Sequence, residues 1–258
     1  MWNNKSVVVV LPAYNEEANI EVAVKEFRAV SFLDGALVVD EVLVVDNNSR
    51  DDTGALATKA GARVVIEEKQ GYGNALQRGL SEAHGDIIVL CEPDGTFSPR
   101  DIIKLLAYSD DFEMVCGTRT YPGLIWREAN MPWFLRLGNY FVAKFLEILY
   151  FTPSLSDCGC TFRLIRRDAA ERIIGDLFVG KSHFLPNMVI AARANGVRFI
   201  EVPVSYRGRI GESKITGTLA GIWKTGLAMI WLIVFMWPGY VARKIVERPS
   251  QERDTSRE

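Results

Sequence analysis

The sequence predicts an α/β protein: a Rossmann-like, mostly parallel sheet flanked by helices, followed by an apolar, membrane-associated helix. Two observations carry that expectation. Short β-branched runs alternate with segments of helical apolar spacing from Val7 to Leu90, which is the pattern of a doubly wound sheet. Gly226 to Tyr240 is then almost wholly apolar and holds Trp231, Phe235 and Trp237, with Arg243 and Lys244 after it.

The elements follow in order. Ser6 to Leu11 reads as a buried strand closed by Pro12. Asn15 is placed to cap a helix in which Ile20, Val24 and Phe27 recur at helical spacing and Glu16 and Glu17 lie in the first turn. Glu41 to Val45 is the second strand, and a helix from Asp51–Thr53 through Ala60 leads to a third, Val64 to Glu67. A helix after Gly71–Gly73, with Leu76 and Leu80 on one face, leads to the fourth strand, Asp86 to Leu90. A further strand is expected over Phe112 to Cys116. Met131 to Phe151 reads as a helix too apolar for an ordinary surface, suited either to the core or to a membrane surface.

Composition bounds the function. A chain of 258 residues, 48% apolar and 24% charged, buries one substantial core. Its formal net charge of -2 gives no basic field for nucleic acid, so no nucleic-acid partner is expected. Cys91, Cys116, Cys158 and Cys160 lack the spacing and partners of a zinc site, and no signal-peptide pattern precedes the first strand, so reduced thiols in a cytoplasmic protein are expected. The late apolar run is roughly 15 residues, short of the ~20 that span a bilayer. Extended back to Leu219 it is long enough. A spanning helix, a re-entrant hairpin, an interfacial helix and a buried core helix all satisfy it. Three segments are expected: a catalytic domain over 1–216, the apolar segment over 217–246 and a polar, mobile tail over 247–258.

Ligands on such a sheet sit beyond the carboxyl ends of its strands, which directs attention to four loops. Glu92-Pro93-Asp94 places two carboxylates at i and i+2 where the fourth strand ends, a donor set for Mg²⁺ or Mn²⁺ that shares its shell with substrate phosphate. Asp46 ends the second strand, where a carboxylate can bind a base or ribose, with Asn47 and Asn48 beside it. Lys69 to Asn74 sets a cation and two glycines before a helix, which suits a backbone that approaches phosphate. Further on, Arg119, Arg127 and Arg136 suit phosphate recognition, and Asp157 is a candidate general base. His84 and His183 read as ordinary structural or surface residues.

These motifs, in this order, are similar to those of family 2 glycosyltransferases with the GT-A fold: Pro12-Ala13-Tyr14-Asn15-Glu16, Asp46-Asn47-Asn48-Ser49 with Asp52-Thr53, Gly71-Tyr72-Gly73-Asn74-Ala75, and Glu92-Pro93-Asp94-Gly95-Thr96-Phe97. Arg207-Gly-Arg-Ile-Gly-Glu-Ser-Lys214 resembles the late basic loop of the dolichol-phosphate mannose synthase branch. The resemblance implies a UDP- or GDP-linked nucleotide sugar held by Pro12, Ala13, Tyr14, Glu16, Asp46, Asn48, Lys69, Gly73 and Asn74, with Glu92 and Asp94 serving the metal and diphosphate and Arg209, Ser213 and Lys214 closing over the phosphates. It implies further that Arg119 and Arg136 bind the phosphate of a polyprenyl phosphate acceptor, that Asp157 lies near that acceptor, and that the enzyme works by inversion at the cytoplasmic face of the membrane. The alternative acceptor is a sugar hydroxyl of a polysaccharide or glycolipid, with Asp157 as base. Two departures stand out: the branch usually has Asp at Glu92 and Gln at Thr96, and Asn47 replaces the second residue of an Asp-Asp pair.

Overall fold

The computed structural model describes residues 1–32, 35–126, 129, 133–208 and 219–251. The chain runs β1 (Val7–Ala13), α1 (Ile20–Arg28), β2 (Glu41–Asp46), α2 (Thr53–Lys59), β3 (Arg63–Ile66), α3 (Tyr72–Glu82), β4 (Ile87–Leu90), α4 (Ile102–Leu106), β5 (Met114–Thr118), α5 (Trp133–Tyr150), β6 (Arg163–Arg166), α6 (Arg167–Ile173), α7 (Phe184–Ala194), β7 (Phe199–Pro203) and α8 (Leu219–Gln251). The strands form one sheet in the order β3-β2-β1-β4-β6-β5-β7.

Why the first strands are continuous apolar runs is plain from their two faces. Val8 and Val10 face one core with Leu43, Ile88 and Leu90, while Val7, Val9 and Leu11 face the other with Val44 and Val89. A strand covered on both sides has no solvent face to fill with polar residues. Each such side chain contributes about 1.5–3 kcal/mol of burial.

β1 to β4 are mutually parallel, but β6 is antiparallel to both β4 and β5. The sense of β6 matters for function. Leu90 at the end of β4 pairs with Arg163 at the start of β6, and β5 and β7 run parallel to each other. The carboxyl ends of β1, β2, β4, β5 and β7 and the approach to β6 therefore converge on one edge of the sheet.

Two expectations change, and a third is refined. Asn15 does not cap α1: the helix starts at Ile20 with Asn19 at the capping position, and Asn15 sits in the left-handed region at φ 50. Its side-chain Oδ1 instead accepts from the Arg50 N–H at 2.9 Å, tying two loops together. The last helix runs on through Gln251, past the expected start of the tail at 247. The helix expected from Met131 is described from Trp133, Met131 itself lying outside the described residues; its inner stripe of Val142, Ala143, Leu146 and Tyr150 is core, while Trp133, Phe141 and Ile148 on the rest are exposed.

Candidate active site

The donor half of the edge is a web of side chains bonded to neighbouring loop backbones. The Asn15 N–H donates to Ser49 Oγ at 3.0 Å and the Glu16 N–H to Thr53 Oγ1 at 2.8 Å, so the loop after β1 is stitched to the loop after β2. Asp46 Oδ1 accepts from the Ser49 N–H at 2.9 Å, and Glu16 Oε2 accepts from Asn19 Nδ2 at 2.9 Å. Pro12 and Ala13 are buried in the strand end, where the Ala13 carbonyl takes the Asn47 N–H at 2.8 Å. Tyr14 and Glu16 beyond them are half-buried, and Asn48, with φ 61, is exposed.

Asn47 has a structural task that the sequence did not announce. Its buried amide donates to the carbonyls of Glu67 and Lys69 and accepts from the Gly71 N–H at 2.8 Å. An aspartate there would lose both donated bonds. Lys69 itself is exposed on the loop that Asn47 anchors.

The glycines of this loop also differ from expectation. The N–H groups of Gly73 and Asn74 both donate to the Gly180 carbonyl, at 3.1 and 3.2 Å, so those two donors are used by protein rather than offered to phosphate. A Cβ on Gly73 would fall 2.0 Å from the Val179 carbonyl oxygen. Glycine is needed here for the 179–180 segment to cross the start of α3.

Glu92 and Asp94 follow β4, next to β1 in the sheet. β2 lies on the other side of β1, so Asp46 is offset from the β4 end by two strand spacings, about 10 Å measured across the sheet, and extends three residues further along in register. The Tyr72 and Thr161 hydroxyls lie 3.0 and 2.9 Å from Glu92 Oε1 and within hydrogen-bonding reach of each other, so their two protons are shared among three contacts, with Glu92 Oε1 as an acceptor. Burial and the Glu92 charge push the Tyr72 phenol well above its ordinary range, so it remains a donor. Asp94 is 2% exposed, and its Oδ1 accepts from the Thr96 N–H and hydroxyl at 3.0 and 2.6 Å. Among the described residues no cluster of three or more His, Cys, Asp or Glu forms a metal cage. Two carboxylates without soft ligands fit a hard divalent cation that completes its shell with phosphate oxygens and water.

On the acceptor half the charges are paired with one another. Arg119, just past β5, meets the fully buried Asp157 with a two-pronged contact, Nε to Oδ2 at 2.7 Å and Nη2 to Oδ1 at 2.9 Å. Burial raises the Asp157 pKa, but the charge and hydrogen bonds of Arg119 outweigh it and hold the carboxyl below its ordinary value. In this arrangement the Asp157 carboxylate is enclosed and its pKa is held down by Arg119. The other side of the Arg119 guanidinium lies over the Tyr206 ring, 5.4 Å from its centroid.

Beneath this pair sit groups that sequence reasoning missed. Glu201 on β7 accepts from the N–H groups of Ser156 and Asp157 and from the Ser156 hydroxyl. Burial, with the nearby Asp157 charge, raises its pKa. Arg163, fully buried at the start of β6, donates to the carbonyls of Cys160, Leu185 and Cys158 at 2.8, 3.0 and 2.6 Å, which fixes the shape of the 158–160 turn. A charged residue inside the run Phe162-Arg163-Leu164-Ile165 was the available signal. Arg136 is half-buried on α5, one turn before Asn139, whose Oδ1 lies with Arg119 Nη2 and Asp157 Oδ1 within 3.6 Å of where a Cβ on Gly159 would stand. Arg127, Arg209, Ser213 and Lys214 lie outside the described residues. Their anchor is visible: the Arg207 N–H donates to the Thr96 carbonyl at 2.7 Å, and its guanidinium reaches Ser98 and stacks over Trp126.

A mostly parallel sheet with one reversed strand, and loops with carboxylates gathered at its strand ends, is the GT-A fold of glycosyltransferases. The chain belongs to glycosyl transferase family 2, whose family model matches residues 8–174. Relatives include a glycosyltransferase of Mycobacterium tuberculosis, 34% identical with 84% of this chain and 92% of the relative covered. A dolichyl-phosphate hexose transferase of Haloferax volcanii is 30% identical over 81% and 86% of the two chains, and the mouse dolichyl-phosphate beta-glucosyltransferase is 26% identical over 80% and 69%. Among solved structures, the glucosyl-3-phosphoglycerate synthase of M. tuberculosis, in complex with Mn²⁺, uridine diphosphate and phosphoglyceric acid, shares the fold with a TM-score of 0.66 at 22% identity, covering 88% of this chain and 76% of that one.

Proposed function

We propose that this enzyme transfers a hexosyl group from a UDP- or GDP-linked sugar to a polyprenyl phosphate at the cytoplasmic face of the membrane, with inversion. The observation that carries the reading is the setting of Arg119: a guanidinium held from one side by Asp157 and from the other by Tyr206, beside a helix whose outer face is exposed and apolar. The names of the Haloferax and mouse relatives support the same acceptor class.

In this mechanism Tyr14, Glu16 and Asp46 bind the nucleoside, and Asn48 and Lys69 flank it, on loops that their backbone bonds keep from drifting. Glu92 and Asp94 would hold Mg²⁺ or Mn²⁺, which when bound supplies positive charge to the leaving diphosphate. Tyr72 and Thr161 orient Glu92, and Thr96 orients Asp94. An oxygen of the acceptor phosphate, steered by Arg119 and Arg136, attacks the anomeric carbon. The new oxygen–carbon bond forms as the bond to the diphosphate breaks, and Arg209, Ser213 and Lys214 are assigned to the departing charge. A phosphate oxygen is already ionised near neutral pH, so no proton has to leave it. Asp157 then serves by positioning Arg119, a role that suits its enclosed geometry. A sugar hydroxyl would need a base, and the pairing of Asp157 argues against that alternative.

The test is a screen of nucleotide sugars with purified protein, Mn²⁺ or Mg²⁺ and a polyprenyl phosphate, reading out lipid-linked sugar. UDP-sugars come first, because the solved neighbour was determined with uridine diphosphate. Transfer to an uncharged polyprenol or a glycolipid hydroxyl, with none to the phosphate, would overturn the acceptor assignment.

A further inference from the structure

The outer faces of α5 and α8 form a surface whose chemistry a water-facing helix pair does not have. α8 turns Met229, Leu232, Ile233 and Tyr240 inward at helical spacing. The opposite side of an ordinary surface helix is polar. Here it carries exposed Trp223, Leu227, Trp231, Val234 and Phe235, with Trp231 62% exposed and stacked on Phe235 at 4.8 Å. α5 continues this surface, and the two helices enclose an apolar groove of about 330 Å³ lined by Phe141, Val142, Phe145 and Ile230.

The charges around this surface are mostly positive. From Leu219 to Val246 they are Lys224, Arg243 and Lys244, and α5 adds Arg136, Lys144 and Glu147, while Glu247 and Arg248 beyond cancel each other. A chain of net charge -2 thus gathers six cations against two anions on the two helices with the most exposed apolar area, Lys144 being paired with Glu147 and Arg243 with Asp176. That combination is complementary to a leaflet containing acidic lipids.

By length and composition alone, the 24 residues of Trp223–Val246 could cross a bilayer, their most apolar stretch of 18 having a mean hydropathy of 1.6. Its polar contacts exclude a crossing while it stays docked. The Tyr150 hydroxyl donates to the Ile233 carbonyl at 2.7 Å and Trp237 Nε1 to the Leu149 carbonyl at 3.2 Å. Tyr240 bonds the Tyr150 carbonyl at 3.0 Å, and Arg243 reaches Asp176 and Asn195, both at 3.0 Å. A crossing helix has lipid around it and its ends in different compartments. This one has its middle and its far end fastened to the domain that carries the active site.

We infer that α5 and α8 lie on an anionic lipid leaflet as a monotopic docking face, with α8 in the plane of the interface and the C-terminal tail on the same side as the active site. This goes beyond the acceptor reading, since it concerns how the chain meets the membrane and not what it glycosylates. Its test contains no transferase assay, so each can fail alone.

The full-length chain is floated with vesicles of phosphatidylcholine or of phosphatidylcholine with about 30% phosphatidylglycerol. Association is expected to be at least about tenfold stronger with the acidic lipid and to fall several-fold in about 0.5 M NaCl. Trp231→Ala with Phe235→Ala lowers it by about tenfold again, through lost apolar contact. Topology is read with Ser256→Cys and a membrane-impermeant maleimide, the native cysteines all being buried. Labelling is expected in inverted vesicles and not in spheroplasts. Labelling in spheroplasts would show that α8 crosses and overturn the inference. So would failure to float with either vesicle, including the case of a detergent-free dimer dispersed by the same two substitutions, which would assign the face to a second copy of the chain.

Discussion

The two halves of the active edge are built on opposite principles. On the donor half, between β3 and β4, side chains bond the backbone of neighbouring loops, as Asn47 does with Glu67, Lys69 and Gly71. On the acceptor half, between β6 and β7, charged groups bond one another in near-complete burial, as Arg119 and Asp157 do. The first arrangement fixes loop shape with neutral bonds worth about 1 kcal/mol each. The second stores its stability in a few charge pairs and loses much of it when one partner goes. The donor half should therefore be damaged by substitution mainly in catalysis, and the acceptor half in both catalysis and folding.

The strongest way to break this contrast is at Asp94. Asp94→Ala should lower transfer about a thousandfold, equal to about 4 kcal/mol at the transition state, with little change in the unfolding midpoint. Loss of fold in that variant would mean the donor half also depends on charge for stability. Next in size is Arg119→Ala, which leaves Asp157 buried without its counter-ion and should cost about 3 kcal/mol in urea unfolding. The double variant Arg119→Ala, Asp157→Ala should recover part of that loss. The same pair predicts acid behaviour. Because the folded pKa of Asp157 is lowered, its contribution is complete above the ordinary aspartate value of about 3.9 and drains away as pH falls through the lowered native one. Unfolding free energy should therefore drop more steeply below about pH 4 in the parent than in the double variant, and equal slopes would remove the pair from the account.

Smaller effects sharpen the comparison. Glu201→Gln keeps one acceptor but turns an amide N–H₂ toward the donors of either Ser156 or Asp157, at a cost of about 1–2 kcal/mol in stability. It should raise the acceptor KM while leaving donor binding alone. Tyr72→Phe removes the hydroxyl on Glu92 and should weaken Mn²⁺ binding in the presence of UDP by about fivefold, about 1 kcal/mol, in titration calorimetry. An unchanged Mn²⁺ affinity would show that Glu92 needs no such support.

The same division separates what was legible in the sequence from what was not. β1, β2 and β4 are parallel and covered on both faces, so each reads as an apolar run and each loop after it as a motif. β6 reads Arg-Leu-Ile-Arg, four residues flanked by charge, and nothing in that string announces a strand or its reversed sense. The pairing of Arg119 with Asp157 joins positions 38 residues apart, a relation that neither periodicity nor spacing encodes. Asn15 and Asn19 are chemically alike, and only the route of the loop across to Ser49 and Arg50 decides which one stands at the helix start. The Gly73 loop was visible as a glycine motif, but the crossing segment at Val179 and Gly180 that requires it comes from another part of the chain.

Tyr150 is wholly enclosed, its hydroxyl spent on Ile233 and its carbonyl taken by Tyr240. Deleting the final helix to obtain a detergent-free enzyme would thus open the interior around that ring and yield an aggregating product. Exchanging Trp231 and Phe235 for hydrophilic residues leaves the inner stripe intact and is the sounder route to a water-soluble form.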